Sequence, residues 1–575
     1  MNNLKKIITK KQYNYLFLFL ILMFVNALME FISIGILLPF LTLLFEATQG
    51  SNIFQNLFNY FFSMVGIENS ISNCIYLMFI LFLIKYLFII VYSKIQVQYL
   101  TIVKRDLQTK MFAGYLDRPY QFHVNNNSSK IIRNITTEVA KFSTNYLGPI
   151  LGLALSILMV FLISLALLFI NFKATLIILF IFMVSLLILN LIYSKKLKDN
   201  GLKHQHHDRY ILQYLRQGLI SIIETKTLSL EKIFTEMFFR HQDALRKIGI
   251  SRYMMGIVPK IYFEFLFLTI IFSFILYAVN NNILMDNIII TLTIYAAAAF
   301  RILPMFKNIA DNLQKIKYAE PTVSLLTNEL ASIEKNKIDN IKFKSGTLKK
   351  IIFNKSISIN NLFFSYNTNN REIIKNVNLK ILKKEKIGII GGNGSGKTTL
   401  LSLICGLLKP TKGTIKLDDI EILDNFDEYK KLIGYIPQNI NLIDDTIEKN
   451  ITLGIKNSTD YKEKLISAID RSQLKKLIST LPQGLKTMVG ENGVTLSGGE
   501  KQKIAIARTL FRESEILIFD EATSAMDLES EKNFIEEINK VYVDKTIIIV
   551  SHRLSALKYC KKIFNMDNNQ YMQKA

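Results

Sequence analysis

Gly391-Gly392-Asn393-Gly394-Ser395-Gly396-Lys397-Thr398-Thr399 is the stretch whose residue types and spacing point most directly to chemistry. It follows the β-branched run Lys386–Ile390 and precedes an apolar helical pattern, so Gly-xxxx-Gly-Lys-Thr stands in the strand–loop–helix context that a phosphate-binding loop needs. Glycines let consecutive backbone N–H groups turn inward on an anionic chain, and the helix dipole adds positive charge. Lys397 supplies a cation and Thr398 a hydroxyl for Mg²⁺. The run Ile516-Leu517-Ile518-Phe519-Asp520-Glu521 predicts a buried strand that presents the Asp520 carboxylate to Mg²⁺ and leaves Glu521 placed to accept a proton from attacking water. Leu496-Ser497-Gly498-Gly499-Glu500 precedes the helical pattern Lys501–Arg508. Thr546–Val550 ends in Ser551-His552, again a strand with a polar tip, and Gln438 follows the strand-like Gly434–Pro437. Tyr366 closes the alternating run Ser356–Tyr366, where it either stacks on an adenine ring or serves as a core aromatic.

Those residues all lie in the carboxy-terminal part of a chain whose character changes once along its 575 residues. Up to about residue 320 long apolar runs dominate; beyond it, short strands alternate with charged helices. The fold class expected is therefore a polytopic α-helical membrane domain fused to an α/β phosphate-loop domain: 1–320 the membrane domain, 321–350 a linker, 351–575 the soluble domain. A span needs about 20 apolar residues. Candidates are 14–45, 73–95, 147–170, 173–194, 259–279 and 285–306. The first follows Lys5, Lys6, Lys10 and Lys11 without a small-residue cleavage site and is read as retained. Residues 46–72 and 280–287 lack Lys and Arg and face outward; the basic segments around 104–133 and 195–246 face inward and extend the spans as helices.

Residues 53–65 repeat apolar side chains at helical spacing, either as a helix in the outer interface or as a loop packed on its own domain. Glu30, Lys85, Glu264 and Arg301 are ionisable residues inside spans, which must pair, snorkel or face a wet cavity. Arg301 is the candidate for substrate contact, because guanidinium suits phosphate. Pro39, Pro259 and Pro304 kink or end their helices. The net charge of +24 is spread without a recognition motif, so nucleic acid is not the expected partner. Cys74, Cys405 and Cys560 have neither disulfide-framework nor zinc spacing.

From about residue 355 to the end the chain resembles the nucleotide-binding domain of an ABC transporter. The resemblance implies ATP and Mg²⁺ as cofactors, bound by residues 391–399, with Tyr366 on the adenine. It further implies that Gln438 senses Mg²⁺, Asp520 orients it, Glu521 is the general base and His552 contacts the γ-phosphate. Ser497, Gly498 and Gly499 would reach the ATP of a second subunit; Glu500 departs from the commoner glutamine, and Asp527 resembles a further conserved-type aspartate of the loop after Glu521. The whole chain is similar to an exporter-type half-transporter and, on Ala27–Phe31, Leu38–Phe40, Val258–Glu264 and Arg301–Pro304, most similar to the bacterial flippases of lipid-linked oligosaccharides. That likeness implies a homodimer in a bacterial inner membrane, moving a polyprenyl-pyrophosphate glycan outward, with short coupling helices at 120–129 and 225–231. Exporters of other lipids, drugs or peptides share the machinery, and a membrane-anchored ATPase without cargo is a further reading.

Overall fold

The computed structural model describes residues 7–35, 71–170, 172–280, 285–344, 351–366, 372–455, 460–490, 493–522 and 528–572. Two compact units emerge, one of Met1–Arg118 with Asn125–Asn336, the other of Pro119–Val124 with Lys337–Ala575. Residues 36–45 of the first expected span, Pro39, the segment 53–65 and Asp527 lie outside the described residues.

The first unit is helical throughout its described residues because its apolar runs leave no solvent to satisfy backbone groups, and a helix satisfies them internally. Its long helices are α1 (Lys10–Gly35), α2 (Ile71–Leu116), α4 (Gly148–Ile170), α5 (Phe172–Ile220), α7 (Glu231–Asn280) and α8 (Met285–Lys344). Five described segments are long and apolar enough to cross a membrane, in α1, α2, α5, α7 and the helix ending in α4. The sixth expected span, 285–306, is helical as the first part of α8. At 1.5 Å per residue, α5 is roughly 70 Å long, more than twice the ~30 Å that a hydrocarbon core requires. Helix α8 also continues through 321–344, the segment read as linker. Pro259 and Pro304 sit inside continuous helices and end neither. Two short helices, α3 (Tyr120–Asn125) and α6 (Ile222–Thr227), fall at the expected coupling segments, the second three residues early.

The charges in the spans are paired. Glu30 takes Lys85 on one carboxylate oxygen and Arg301 on the other, the latter at 2.7 Å, and Glu30 and Lys85 are both buried. Lys260 and Glu264 approach to 3.9 Å at an exposed site. Nearby, Phe182, Phe263 and Phe306 join α5, α7 and α8 through ring centroids 4.9 to 5.8 Å apart.

The second unit holds two sheets. Strands β1 (Ser356–Ser365), β2 (Glu372–Leu382), β4 (Lys412–Leu417) and β5 (Ile420–Glu421) form an antiparallel sheet in the order β2-β1-β4-β5. Strands β3 (Lys386–Ile390), β6 (Ile433–Ile436), β7 (Ile516–Asp520), β8 (Thr546–Val550), β9 (Lys562–Asn565) and β10 (Gln570–Met572) form the other, ordered β10-β9-β3-β8-β7-β6. All its pairings are parallel except β9 with β10. Every residue of β7 and β8 is buried, the signature of a parallel sheet covered on both faces. Successive side chains alternate faces, so Ile516, Ile518 and Ile548 enter one core and Leu517, Phe519, Ile547 and Ile549 the other.

Close backbone approach sets one requirement in the first unit. A Cβ at Gly201 of α5 would lie 2.2 Å from the Tyr318 carbonyl oxygen of α8, whereas a Cβ at Gly249 of α7 meets nothing within 4 Å. Gly201→Ala is therefore expected to destabilise the protein by about 1–3 kcal/mol through overpacking. Gly249→Ala should leave the thermal midpoint in detergent unchanged or raised; equal effects of the two substitutions would contradict this packing.

Candidate functional site

The parallel register brings the tips of β3, β7 and β8 to one edge of the sheet, since Ile389 pairs with Val550 and Val550 with Asp520. After β3 the chain turns through Gly391–Gly396 into α9 (Lys397–Ile404). Gly394 and Gly396 have φ of 82° and 92°, left-handed conformations that cost a side-chain-bearing residue energy. The buried Lys397 ammonium folds back on the loop and donates to the Gly391 and Gly392 carbonyls, at 2.9 Å each. The Ser395 hydroxyl oxygen is buried and, among the described residues, has no hydrogen-bond partner. A glycine loop with left-handed turns, a cation and an unsatisfied hydroxyl fits a phosphate chain.

Asp520 is buried at the end of β7, and burial raises its carboxyl above the ordinary aspartate range; hydrogen bonds from Tyr435 and Thr398 oppose that shift. The Tyr435 hydroxyl donates to Asp520 at 2.9 Å. A hard carboxylate and the adjacent Thr398 hydroxyl form a donor set suited to Mg²⁺, whose charge would keep Asp520 ionised. Asp520, Thr398 and the Lys397 loop thus meet, as the sequence motifs imply.

Glu521, the next residue, has φ of 49°, and its N–H donates to the Val550 carbonyl at 3.0 Å. That strained turn leaves its carboxylate close enough to Asp520 to push the Asp520 carboxyl further up. One Glu521 oxygen accepts from Gln438 Nε2 at 2.8 Å, and the other lies 3.1 Å from His552 Nε2. Two residues 114 positions apart in sequence, Gln438 and His552, therefore converge on one carboxylate. Beneath the imidazole, Arg553 and Ser555 both bond the fully buried Glu531, at 3.1 and 3.2 Å, which anchors the turn after β8.

Ser497 caps helix α10 (Gly498–Phe511) in a capping box: its hydroxyl accepts from Glu500 N at 3.4 Å, and Glu500 Oε2 accepts from Ser497 N at 2.7 Å. Glutamate performs this reciprocal bond as well as glutamine, which accounts for Glu500. The structure sets Ser497, Gly498 and Gly499 at the start of this helix. Tyr366 packs edge-on to Phe364, with centroids 4.9 Å apart, and lies against the first core. Arg301 belongs to the other unit, where Glu30 engages it and about a third of its side chain is exposed.

Two participants were not legible as site residues. Tyr435 reaches Asp520 from β6, and Asp567 reaches the phosphate loop from the β9–β10 turn, accepting the Gly392 N–H at 3.0 and 3.1 Å. The adjacent Met566 N–H donates to the Ile390 carbonyl at 2.9 Å, so this hairpin braces the loop's first turn.

With this geometry established, resemblances to known proteins become specific. Residues 374–524 match the ABC transporter family model. The mitochondrial iron-sulfur clusters transporter ATM1 of Kluyveromyces lactis is 40% identical over 216 residues, 37% of this chain and 29% of that protein. A putative multidrug export ATP-binding/permease protein of Staphylococcus aureus is 40% identical over 218 residues, 38% of this chain and 37% of that protein. The chain thus spans about a third of the length of these curated relatives. A bacterial Atm1-family ABC exporter solved with ATP bound superposes with a TM-score of 0.76 at 18% identity, over 98% of this chain and 94% of that one. The fold is that of an ABC exporter. Its carboxy-terminal ABC transporter domain carries the sheet-edge site, and its helical unit supplies the membrane-type spans.

Asp567→Ala should weaken ATP binding about fivefold, the loss of roughly 1 kcal/mol for an exposed charge-assisted bond, with little change in kcat. Asp567→Asn keeps an acceptor and should bind near normally. Measuring KM for ATP in both decides the matter, since equal behaviour of the two variants would exclude a bracing role.

Proposed function

We propose that this protein is an ATP hydrolase coupled to export across a membrane, working as an exporter half-transporter in a homodimer. The observation that carries this reading is the Glu521 carboxylate, placed beside Asp520 and held by Gln438 and His552. In this mechanism Lys397 and the loop N–H groups beyond Gly392 bind the phosphates, and Thr398 and Asp520 would hold Mg²⁺, which would neutralise developing negative charge. Glu521 orients a water and takes its proton; the bonds from Gln438 and His552 fix the carboxylate plane before reaction. His552 then stands where it can contact a γ-phosphate. Tyr366 stacks on the adenine, and Ser497, Gly498 and Gly499 complete the site of the partner subunit. The Ser497 hydroxyl uses its lone pair on Glu500 N, leaving its proton to donate to a phosphate oxygen.

For the cargo we favour an amphiphile of the lipid-linked saccharide kind, moved from the inner to the outer leaflet of a bacterial cytoplasmic membrane. Residues 27–31, 38–40, 258–264 and 301–304 support it by resemblance, and Arg301 is the candidate contact for its pyrophosphate, in exchange for part of the Glu30 pair. Export of another lipid, a drug or a peptide is the alternative, and the paired state of Arg301 favours it. ATPase turnover in liposomes, with and without a polyprenyl-pyrophosphate oligosaccharide, separates these cargoes: stimulation is expected, and its absence would favour the alternative.

Glu521→Gln preserves shape and both hydrogen-bond partners but removes the base, so turnover should fall about 10²–10⁴-fold while ATP binding persists. Near-normal turnover would transfer the role to His552. Mixing Lys397→Ala with Ser497→Ala subunits should restore part of the activity that each variant lacks alone, through one intact composite site. A mixture as inactive as either pure variant would argue against the homodimer.

A further inference from the structure

Helices α5 and α7 of the helical unit meet through two imidazoles. His207 Nδ1 on α5 lies 2.9 Å from His241 Nδ1 on α7, with ring centroids 5.2 Å apart. One Nδ1–H donates and the other nitrogen accepts, so at least one lone pair already points at the opposite ring. Aromatic packing holds both rings in this attitude. Tyr210 stacks on His241 at 5.0 Å with 7° between the planes, and Tyr214, four residues further along α5, stacks at 5.6 Å and 29°. The His206 ring meets His207 edge-on at 5.4 Å. Two nitrogens from two helices are thus oriented before any ligand arrives.

The carboxylates beside the pair in sequence are committed elsewhere. Asp208 takes Lys141 at 2.5 Å and His204 at 3.1 Å, and Asp243 takes Arg246 and Lys247 at 2.8 and 3.1 Å. Among the described residues no carboxylate lies within ion-pairing distance of His207 or His241, so no local anion favours an imidazolium. Neutral imidazole is the form that ligates a metal ion.

The spacing suits a shared ion. Two imidazole nitrogens on one tetrahedral Zn²⁺, each about 2.0–2.1 Å from the metal, stand about 3.3 Å apart, roughly 0.4 Å wider than this pair. Taking up an ion also asks one ring to move its proton from Nδ1 to Nε2, which leaves both rings neutral and both Nδ1 lone pairs free. Among the described residues no third histidine, cysteine or carboxylate joins them as a cluster, so water completes the coordination shell. Both residues are half-buried, which leaves solvent access for that water. Imidazole ligands select the zinc, nickel and copper class over Mg²⁺ and Ca²⁺, which seek oxygen.

His207 comes 13 residues after the end of the expected span 173–194, roughly 20 Å further along α5, and His241 comes 18 residues before the expected span 259–279. Neither residue belongs to an expected span, and neither takes part in the nucleotide site.

We propose that His207 and His241 form a two-histidine site for a divalent transition-metal ion of the zinc class, which ties α5 to α7 through the Nδ1 atom of each ring. Binding of the ion does not rest on the export reading above.

The full chain, prepared without a polyhistidine tag in phosphatidylcholine nanodiscs, is dialysed against graded Zn²⁺ in excess Mg²⁺, and bound zinc per chain is measured. One saturable zinc per chain is expected from this site. His207→Gln and His241→Gln each keep a hydrogen-bonding side chain but remove the ligating nitrogen, and each should weaken binding about tenfold or more, at least what loss of an outer-shell partner costs a metal site. His241→Cys, assayed reduced, replaces the hydrogen bond by a thiolate ligand and should retain the zinc. A site that is only a hydrogen-bonded pair predicts the reverse order, with Gln tolerated and Cys no better than wild type at binding nothing. His204→Gln and His552→Gln should leave the zinc bound, which excludes the Asp208 pair and the nucleotide site as its origin. Undiminished zinc in both Gln variants at His207 and His241, or none in the wild type, would overturn the proposal. Should a Gln variant fail to fold, the Cys variant and the two controls still decide it. The measurement needs neither hydrolysis nor transport, so ATP turnover in the same preparation reports on the export reading independently.

Discussion

The parallel pairing of β6, β7, β8 and β3 is the constraint on which the site depends. Parallel strands send all their carboxyl ends to one edge, so the loops after Ile390, Asp520 and Val550 cannot avoid one another. The buried runs Ile516–Phe519 and Thr546–Val550 leave little freedom of register, because both faces must be apolar. The geometry of the candidate site is thus set by the hydrophobic packing of these strands. The polar tips need only be the correct residues at the first position beyond each strand.

The helical unit obeys a different constraint, that charge inside a bilayer must find a partner. Glu30 meets it by taking two cations from α2 and α8, which ties three helices at one carboxylate. A single acid serving two bases leaves the cluster net positive. It also makes the relative placement of α1, α2 and α8 depend on one side chain. The aromatic trio on α5, α7 and α8 performs the same tying without charge.

Much of this was legible beforehand, for identifiable reasons. The phosphate loop, the Asp520–Glu521 tip and the membrane-type spans each announce themselves within some 20 contiguous residues, where local pattern and final structure coincide. Tyr435 and Asp567 could not be read that way, since their partners lie 85 and 175 positions distant. The pairing of Arg301 with Glu30 was hidden for the same reason. Glu500 was visible as a departure from the resembling family, but its explanation needed the helix cap.

Glu521 occupies a left-handed backbone conformation that glycine would adopt without cost. A residue there with no side chain would relax the turn after β7, so the fold and the reaction ask for opposite amino acids at the same position. Selection for thermal robustness alone would drift towards loss of the proposed base. With the role proposed for Glu521, the carboxylate in this turn is maintained against the local conformational preference, as a standing trade between durability and turnover.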